Sequence, residues 1–298
     1  MNEPLYIFLS GIDLQTALLY FVRIIEKLMV IYFTLYFLID IFLFIYSLVL
    51  HHRNKVRKIS SVNYYKHSVS IIVPAYNEEV SLVSCIKMLS KIDYDDFEII
   101  VINDGSKDRT LQTMLNSFSF TETGFELQGG IKTGTIKKVY RDSSNKILLI
   151  DKENGGKADS VNAGLNISSK KYICTIDADS ILDDQALKMV LQPMIENPHV
   201  FVTGGFLAAS NGLVISEGKI STRKMPRNIW VLWQIVEYMK SFMIARLSLS
   251  KMNMLLIMSG AFSLYRKEDL LNIGGLLTGF NDHPYIVKTA GLRSKTVC

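Results

Sequence analysis

The chain has 298 residues, 49% of them hydrophobic and 20% charged, with 33 Lys and Arg against 28 Asp and Glu for a net charge of +5. A mean hydropathy of +0.21 and so few charges exclude disorder and a coiled coil, and the modest positive excess leaves no footprint for nucleic acid. The three cysteines, Cys85, Cys174 and Cys298, form no CxxC pair, which argues against a disulfide scaffold or a cysteine zinc site and fits a reducing compartment.

That makeup predicts a membrane-attached globular protein. Leu28 to Leu50 (LMVIYFTLYFLIDIFLFIYSLVL) carries one charge, Asp40. As a helix it rises roughly 34 Å, enough to cross a bilayer. It is too long for a signal peptide, and no small-residue cleavage site follows it. Arg53, Lys55, Arg57 and Lys58 come next, and by the positive-inside rule they place the rest of the chain in the cytoplasm. A second apolar stretch, Leu5 to Val22, is interrupted by Asp13 and Gln15; it reads as a weaker span or an interfacial helix. Residues 1–60 are thus expected to be anchor and basic juxtamembrane segment, and residues 66–298 a globular domain.

From His67 onward, short apolar runs alternate with helical patterns. Strands are expected at His67 to Pro74, Phe97 to Asn103, Lys171 to Ile176 and Val200 to Thr203. A hairpin is expected from Lys137 to Tyr140 and Ile147 to Ile150. Helices are expected after Asn77, which would cap a first turn holding Glu78 and Glu79, at about Asp108 to Phe118, as an amphipathic segment at Lys157 to Ile167, and at about Asp184 to Glu196. Such alternation implies an α/β fold with a mostly parallel, doubly wound sheet, whose ligands sit beyond the carboxyl ends of the strands. Three polar clusters fall at such ends: Tyr76-Asn77-Glu78, Asp104-Gly105-Ser106 and Asp177-Ala178-Asp179.

No GxGxxG follows a strand, and Gly155-Gly156-Lys157 lacks the remainder of a P-loop. The five histidines show no metal-ligand spacing. In the DAD triplet, Asp177 and Asp179 stand i, i+2 at a strand end and could present two carboxylates to one hard divalent ion; alone, the same triplet is an ordinary solvated turn. Asp104 reads either as a helix-capping turn residue or as an acceptor for a nucleobase. Lys157, opening a helix after two glycines, reads either as a surface lysine or as a phosphate partner beside a helix N-terminus.

Taken together and in order, VPAYNEE, NDGSKDRT, NGGKADSVNAGL and TIDADS resemble the processive inverting glycosyltransferases of family 2, with bacterial poly-β-1,6-N-acetylglucosamine synthases as the nearest look-alikes. Gly204-Gly205, Glu237-Tyr238, Ser259-Gly260-Ala261-Phe262 and Gly274-Gly275 extend the resemblance from about Ser68 to Gly275. It implies a GT-A fold behind an N-terminal transmembrane helix. It also implies hexosyl transfer from a UDP-sugar, most readily UDP-N-acetylglucosamine, to a β-linked glycan acceptor at the cytoplasmic face of the cell membrane, with Mg²⁺ or Mn²⁺. Pro74, Tyr76 and Glu78 would line the nucleotide pocket and Asp104 would recognise uracil. Lys157 would approach the diphosphate. Asp177 and Asp179 would bind ribose, diphosphate and metal, and Ser259, Gly260, Ala261 and Phe262 would border the acceptor. The stretch Asn228 to Met254, with Trp230, Trp233, Tyr238 and Phe242, is either a core helix or, as in relatives, a segment at the membrane interface.

An inverting transfer needs a general base. The family's Glu-Asp pair after the second Gly-Gly is replaced here by LLTGFNDHPYIV, with His283 and Pro284 in its register. Asp282 is the nearest carboxylate and the candidate base; Glu268-Asp269 precedes Gly274 and is set aside. A QxxRW motif and C-terminal transmembrane helices are absent from the sequence, which makes a truncated, inactive UDP-binding homologue, or a subunit of a full-length membrane synthase, the alternative expectation. A nucleotidyltransferase is weaker, for want of a glycine-rich loop after the first strand.

Overall fold

The structure, a computed structural model, describes residues 14–54, 64–205, 213–216, 219–223, 226–252, 254, 260–278 and 295–297. It divides into two compact units, Met1–Lys55 and Val56–Cys298. The described part of the first is α1 (Leu14–Asn54), 41 residues without Gly or Pro, about 62 Å long at helical rise. Its Gln15–Leu50 portion is long and apolar enough to cross a membrane, and none of its most apolar window is buried. Residues 14–22 of the second apolar stretch are the opening turns of this same helix and form no separate span, because nothing between Leu14 and Arg23 breaks helical geometry. Leu5 to Asp13 lies outside the described residues.

The second unit is built on a mixed sheet. Its strands are β1 (Val69–Ala75), β2 (Phe97–Asp104), β3 (Phe120–Glu122), β4 (Ile136–Asp142), β5 (Ile147–Lys152), β6 (Tyr172–Ile176) and β7 (Val200–Gly204). A separate hairpin, β8 (Leu213–Ser216) and β9 (Lys219–Arg223), precedes β10 (Phe262–Arg266) and β11 (Lys295–Val297). The order across the nine-stranded sheet is β11-β7-β10-β6-β1-β2-β5-β4-β3. The centre, β6-β1-β2-β5, is parallel. The sheet is mixed where a mostly parallel one is expected: β10 runs antiparallel between β6 and β7, while the expected hairpin forms as β4 and β5 and is extended by β3 into an antiparallel meander.

Side-chain alternation along the central strands separates two cores. Val69, Ile71 and Val73 of β1 and Ile99 and Val101 of β2 face one layer. There they meet α2 (Leu82–Leu89), α3 (Thr110–Ser117) and α5 (Ala186–Glu196). Ile72, Ile100 and Ile102 face the other, packing on Val161 and Leu165 of α4 (Lys157–Ile167) and Leu270 of α8 (Lys267–Asn272). A 3₁₀ turn at Tyr64–Lys66 and a helical run of Ile229–Met239 (α6), a π-helical turn Lys240–Arg246 and Leu247–Lys251 (α7) complete the described elements.

Two local expectations change. α2 begins at Leu82, not after Asn77. Asn77 sits at φ 57°, and its amide Oδ1 accepts from Lys107 N at 2.8 Å while its own N–H donates to Ser106 Oγ at 3.0 Å. The asparagine therefore ties the β1 loop to the β2 loop, a use of the left-handed region that Asn tolerates. α4 is not amphipathic: every residue from Ala158 to Asn166 is buried, Asp159, Ser160, Asn162 and Asn166 included.

Candidate functional site

The parallel strands deliver their carboxyl ends side by side. β1 leads to Tyr76–Glu79, β2 ends at Asp104, β5 at Lys152, and β6 runs into Asp177-Ala178-Asp179. Register keeps them level, with Ala75 opposite Asn103 and Asp104 opposite Lys152. The β1 and β2 loops are also stitched together. Glu78 N donates to Thr110 Oγ1 at 2.8 Å, Glu79 N to Asp108 Oδ2 at 3.2 Å, and Arg109 N to Glu79 Oε2 at 3.0 Å. Tyr76 stays exposed, while Pro74 and Glu78 are half-buried.

Asp104 is buried, and both of its carboxylate oxygens are taken by the protein's own donors. Oδ1 accepts from Lys152 Nζ at 2.6 Å and Gly155 N at 3.0 Å; Oδ2 accepts from Gly156 N at 2.8 Å and Asn154 Nδ2 at 3.2 Å. Gly156 is the residue just before α4, with φ 84°. A carboxylate from β2 thus caps the positive end of a helix from elsewhere in the chain. Gly105 is obligatory beside it: φ is +66°, and a Cβ there would stand 2.8 Å from Asn154 N.

Lys152, which the motif reading passed over, is fully buried and caged by three acceptors: Asp104 Oδ1 and Asp159 Oδ2, each at 2.6 Å, and Glu153 O at 2.5 Å. Asp159 also accepts from Gly134 N at 3.0 Å. The available signal was a lysine closing the apolar run ILLIDK, since a buried ammonium must find carboxylates. Beside this cluster Asn103 donates to Asp151 Oδ1 at 2.7 Å, and its own buried Oδ1 has no hydrogen-bond partner.

At the β6 end, Lys157 Nζ pairs with Asp177 Oδ1, each side chain about one-third exposed (33% and 30%). Asp179 is exposed. β10 brings the expected acceptor-side residues to the same place: Phe262 stands opposite Ile176, and Asp177 N donates to Ala261 O at 3.3 Å. Gly205 N in turn donates to Phe262 O at 3.2 Å. Gly260, Ala261 and Phe262 therefore border the DAD triplet, while Ser259 and Asp282 lie outside the described residues. The edge is electronegative. The Cys85 thiol behind it is pushed up to about 12, by burial first and then by the charges of Asp179, Asp177 and Glu78.

Asp177 and Asp179 offer hard carboxylate oxygens on one partly open strand end, a donor set that fits Mg²⁺ or Mn²⁺. Among the described residues no group of three or more His, Cys, Asp or Glu could hold an ion alone. Two carboxylates leave most of such an ion's coordination positions to water or to the oxygens of a bound ligand.

A sequence profile described as "Glycosyl transferase family 2" matches residues 70–123 and 132–274, spanning every loop just described. The chain belongs to glycosyl transferase family 2. Within the family it is similar to a poly-beta-1,6-N-acetyl-D-glucosamine synthase of Staphylococcus epidermidis, 25% identical over 223 residues, which are 74% of this chain and 45% of the relative. It is also similar to the glycosyltransferase GlyG of Streptococcus pneumoniae, 26% identical over 139 residues, 46% of this chain and 38% of the relative. The chain thus spans less than half the length of these relatives. Among solved structures it resembles the mannosyltransferase PcManGT of Pyrobaculum calidifontis in complex with GDP-Man and Mn²⁺, with a TM-score of 0.51 and 18% identity, covering 87% of this chain and 65% of that one. That likeness establishes the α/β GT-A architecture, with α1 as an additional long apolar helix.

Proposed function

We propose that the protein transfers a sugar, N-acetylglucosamine in the first instance, from a UDP-sugar to a growing β-linked glycan with inversion. The observation that carries this reading is the convergence of Lys157, Asp177 and Asp179 with Ala261 and Phe262 at one sheet edge. The similarity to the staphylococcal synthase across three-quarters of the chain supports the choice of sugar.

We assign each residue a part consistent with its position. Tyr76, Pro74 and Glu78 form the nucleoside side of the cleft. Asp104 is assigned a shaping role in place of uracil recognition, because its oxygens already hold Asn154, Gly155 and Gly156. That grip sets the start of α4, and with it Lys157, against the diphosphate. Asp177 and Asp179 would hold the divalent ion, which when bound would neutralise charge on the departing diphosphate. Gly260 to Phe262 orient the acceptor, whose hydroxyl attacks the anomeric carbon as the bond to UDP breaks. Asp282 is the proposed base for the hydroxyl proton. The α1 helix, which carries Arg53 in its last turn and is followed by Lys55, Arg57 and Lys58, supports a cell-membrane location with the second unit on the cytoplasmic side. The exposed α6 surface is assigned to the bilayer interface.

The test is UDP release from UDP-N-acetylglucosamine by the detergent-solubilised chain with Mn²⁺, and with EDTA as control. Turnover that needs Mn²⁺ is the expected result. Asp282→Asn should lose it by a factor of about 10²–10⁴, the usual worth of a general base, while UDP binding persists. Asp179→Ala should abolish Mn²⁺-dependent UDP binding; unchanged affinity in that variant sinks the assignment. Mn²⁺-dependent UDP binding without turnover identifies a nucleotide-binding homologue instead.

A further inference from the structure

Two lysines flank the Glu153–Gly156 loop and meet opposite surroundings. Lys152 is fully buried and its three ammonium protons have three fixed acceptors. Lys157 lies at the rim, one-third exposed, with its charge on Asp177 Oδ1. An ammonium on a four-carbon stem is a movable point charge, and Asp177 is also one of the two carboxylates that fit a divalent ion. An ion and this ammonium compete for the same carboxylate.

We infer that Lys157 is the resident counter-ion of Asp177 and exchanges it for the donor's diphosphate, so that metal and nucleotide bind as one event and not ion first. The inference rests on the nucleotide-sugar reading above and adds an order of binding to it. While Lys157 stays on Asp177 it cancels half the charge that Asp177 and Asp179 offer an ion. A diphosphate gives the ammonium a doubly charged partner within reach of the same stem, and Asp177 is released in the same step. Binding linkage makes the coupling reciprocal: UDP tightens the ion by the factor by which the ion tightens UDP.

The experiment is a Mn²⁺ titration of the full-length, detergent-solubilised chain, following free Mn²⁺ by electron paramagnetic resonance with and without UDP. The unsubstituted chain should bind Mn²⁺ alone at least tenfold more weakly than with UDP. Lys157→Met, which keeps the stem and helix propensity, should bind Mn²⁺ alone about tenfold more tightly than the parent and UDP about tenfold more weakly. The coupling factor should shrink accordingly. Lys157→Arg, whose guanidinium grips a carboxylate on two prongs, should weaken Mn²⁺ alone below the parent; it serves if the methionine variant fails to fold. Mn²⁺ affinity without UDP that is unchanged or weaker in Lys157→Met overturns the exchange. Failure of the parent to bind UDP with any Mn²⁺ dependence overturns the nucleotide-sugar reading. A tighter Mn²⁺ in Lys157→Met under that outcome would still report the competition for Asp177.

Discussion

Lys152 shows how one side chain can govern a site that it never touches. Its ammonium stands between Asp104 and Asp159, and Asp104 in turn holds the two glycines ahead of Lys157. Lys152→Met would leave two carboxylates buried with no cation, which removes about 3–5 kcal/mol. The check is a denaturant midpoint, and the triple variant Lys152→Met, Asp104→Asn, Asp159→Asn should recover much of the loss. A parent-like midpoint in Lys152→Met would refute the cluster's importance. Motif spacing made Lys157, Asp177 and Asp179 legible in the sequence, because their neighbours along the chain form the pattern. Lys152 and the occupied state of Asp104 were not legible, since Asp104 of β2 lies 48 residues before Lys152 and no local window contains both.

At the scale of elements, α4 is a buried spine whose polar side chains bind other segments. Asp159 accepts from Gly134 N; Asn162 Nδ2 donates to Leu276 O and its Oδ1 accepts from Leu276 N, both at 2.8 Å; Asn166 Nδ2 donates to Ile131 O at 2.7 Å. Each also leaves room only for hydrogen where a loop passes: a Cβ at Gly155, Gly275 or Gly129 would stand 2.4–2.5 Å from an oxygen of Asp159, Asn162 or Asn166, respectively. Gly275→Ala adds a left-handed φ of +79° to that clash, so it should lose roughly 1–3 kcal/mol, visible as a lower melting temperature. The helix itself was read correctly from Lys157 to Ile167, but its burial was not, because Asp, Ser and Asn look solvent-facing until their partners are known. α6 reverses the mismatch. It has no buried residue, and Trp230 and Trp233, the only tryptophans, are 78% and 68% exposed. Tryptophan emission, excited selectively over the tyrosines, therefore reports this helix alone. Reconstitution into vesicles carrying brominated lipid should blue-shift and quench it; emission insensitive to the bromine removes α6 from the bilayer interface.

For the molecule as a whole, the alternation of strand and helix was enough to reveal an α/β sheet, whereas the antiparallel insertion of β10 was not. Its sequence, FSLYR, pairs with strands far away in the chain, and pairing partners leave no mark on composition. The buried core also sets a pH limit. Burial raises the Cys85, Cys174, Tyr94 and Tyr265 acids above their ordinary values. The unfolded chain releases these protons from about pH 9 upward while the folded chain keeps them, so stability is full below that pH and declines as pH rises through the folded values. Denaturant midpoints should be level from about pH 7 to 8.5 and fall above about pH 9; a midpoint that holds to pH 11 would contradict the buried assignments.

The place of β10 also dictates a timetable. β6 and β7 are made early, yet neither can join the other until Phe262–Arg266 has left the ribosome and slipped between them. At about 5–20 residues per second, the growing chain carries β6 as an unpaired apolar edge for several seconds, and such an edge invites pairing with any other nascent strand. Synthesis of this protein is thus a period of exposure that ends only when its second-last described strand arrives, and slow translation or a shortage of chaperones would be felt there first.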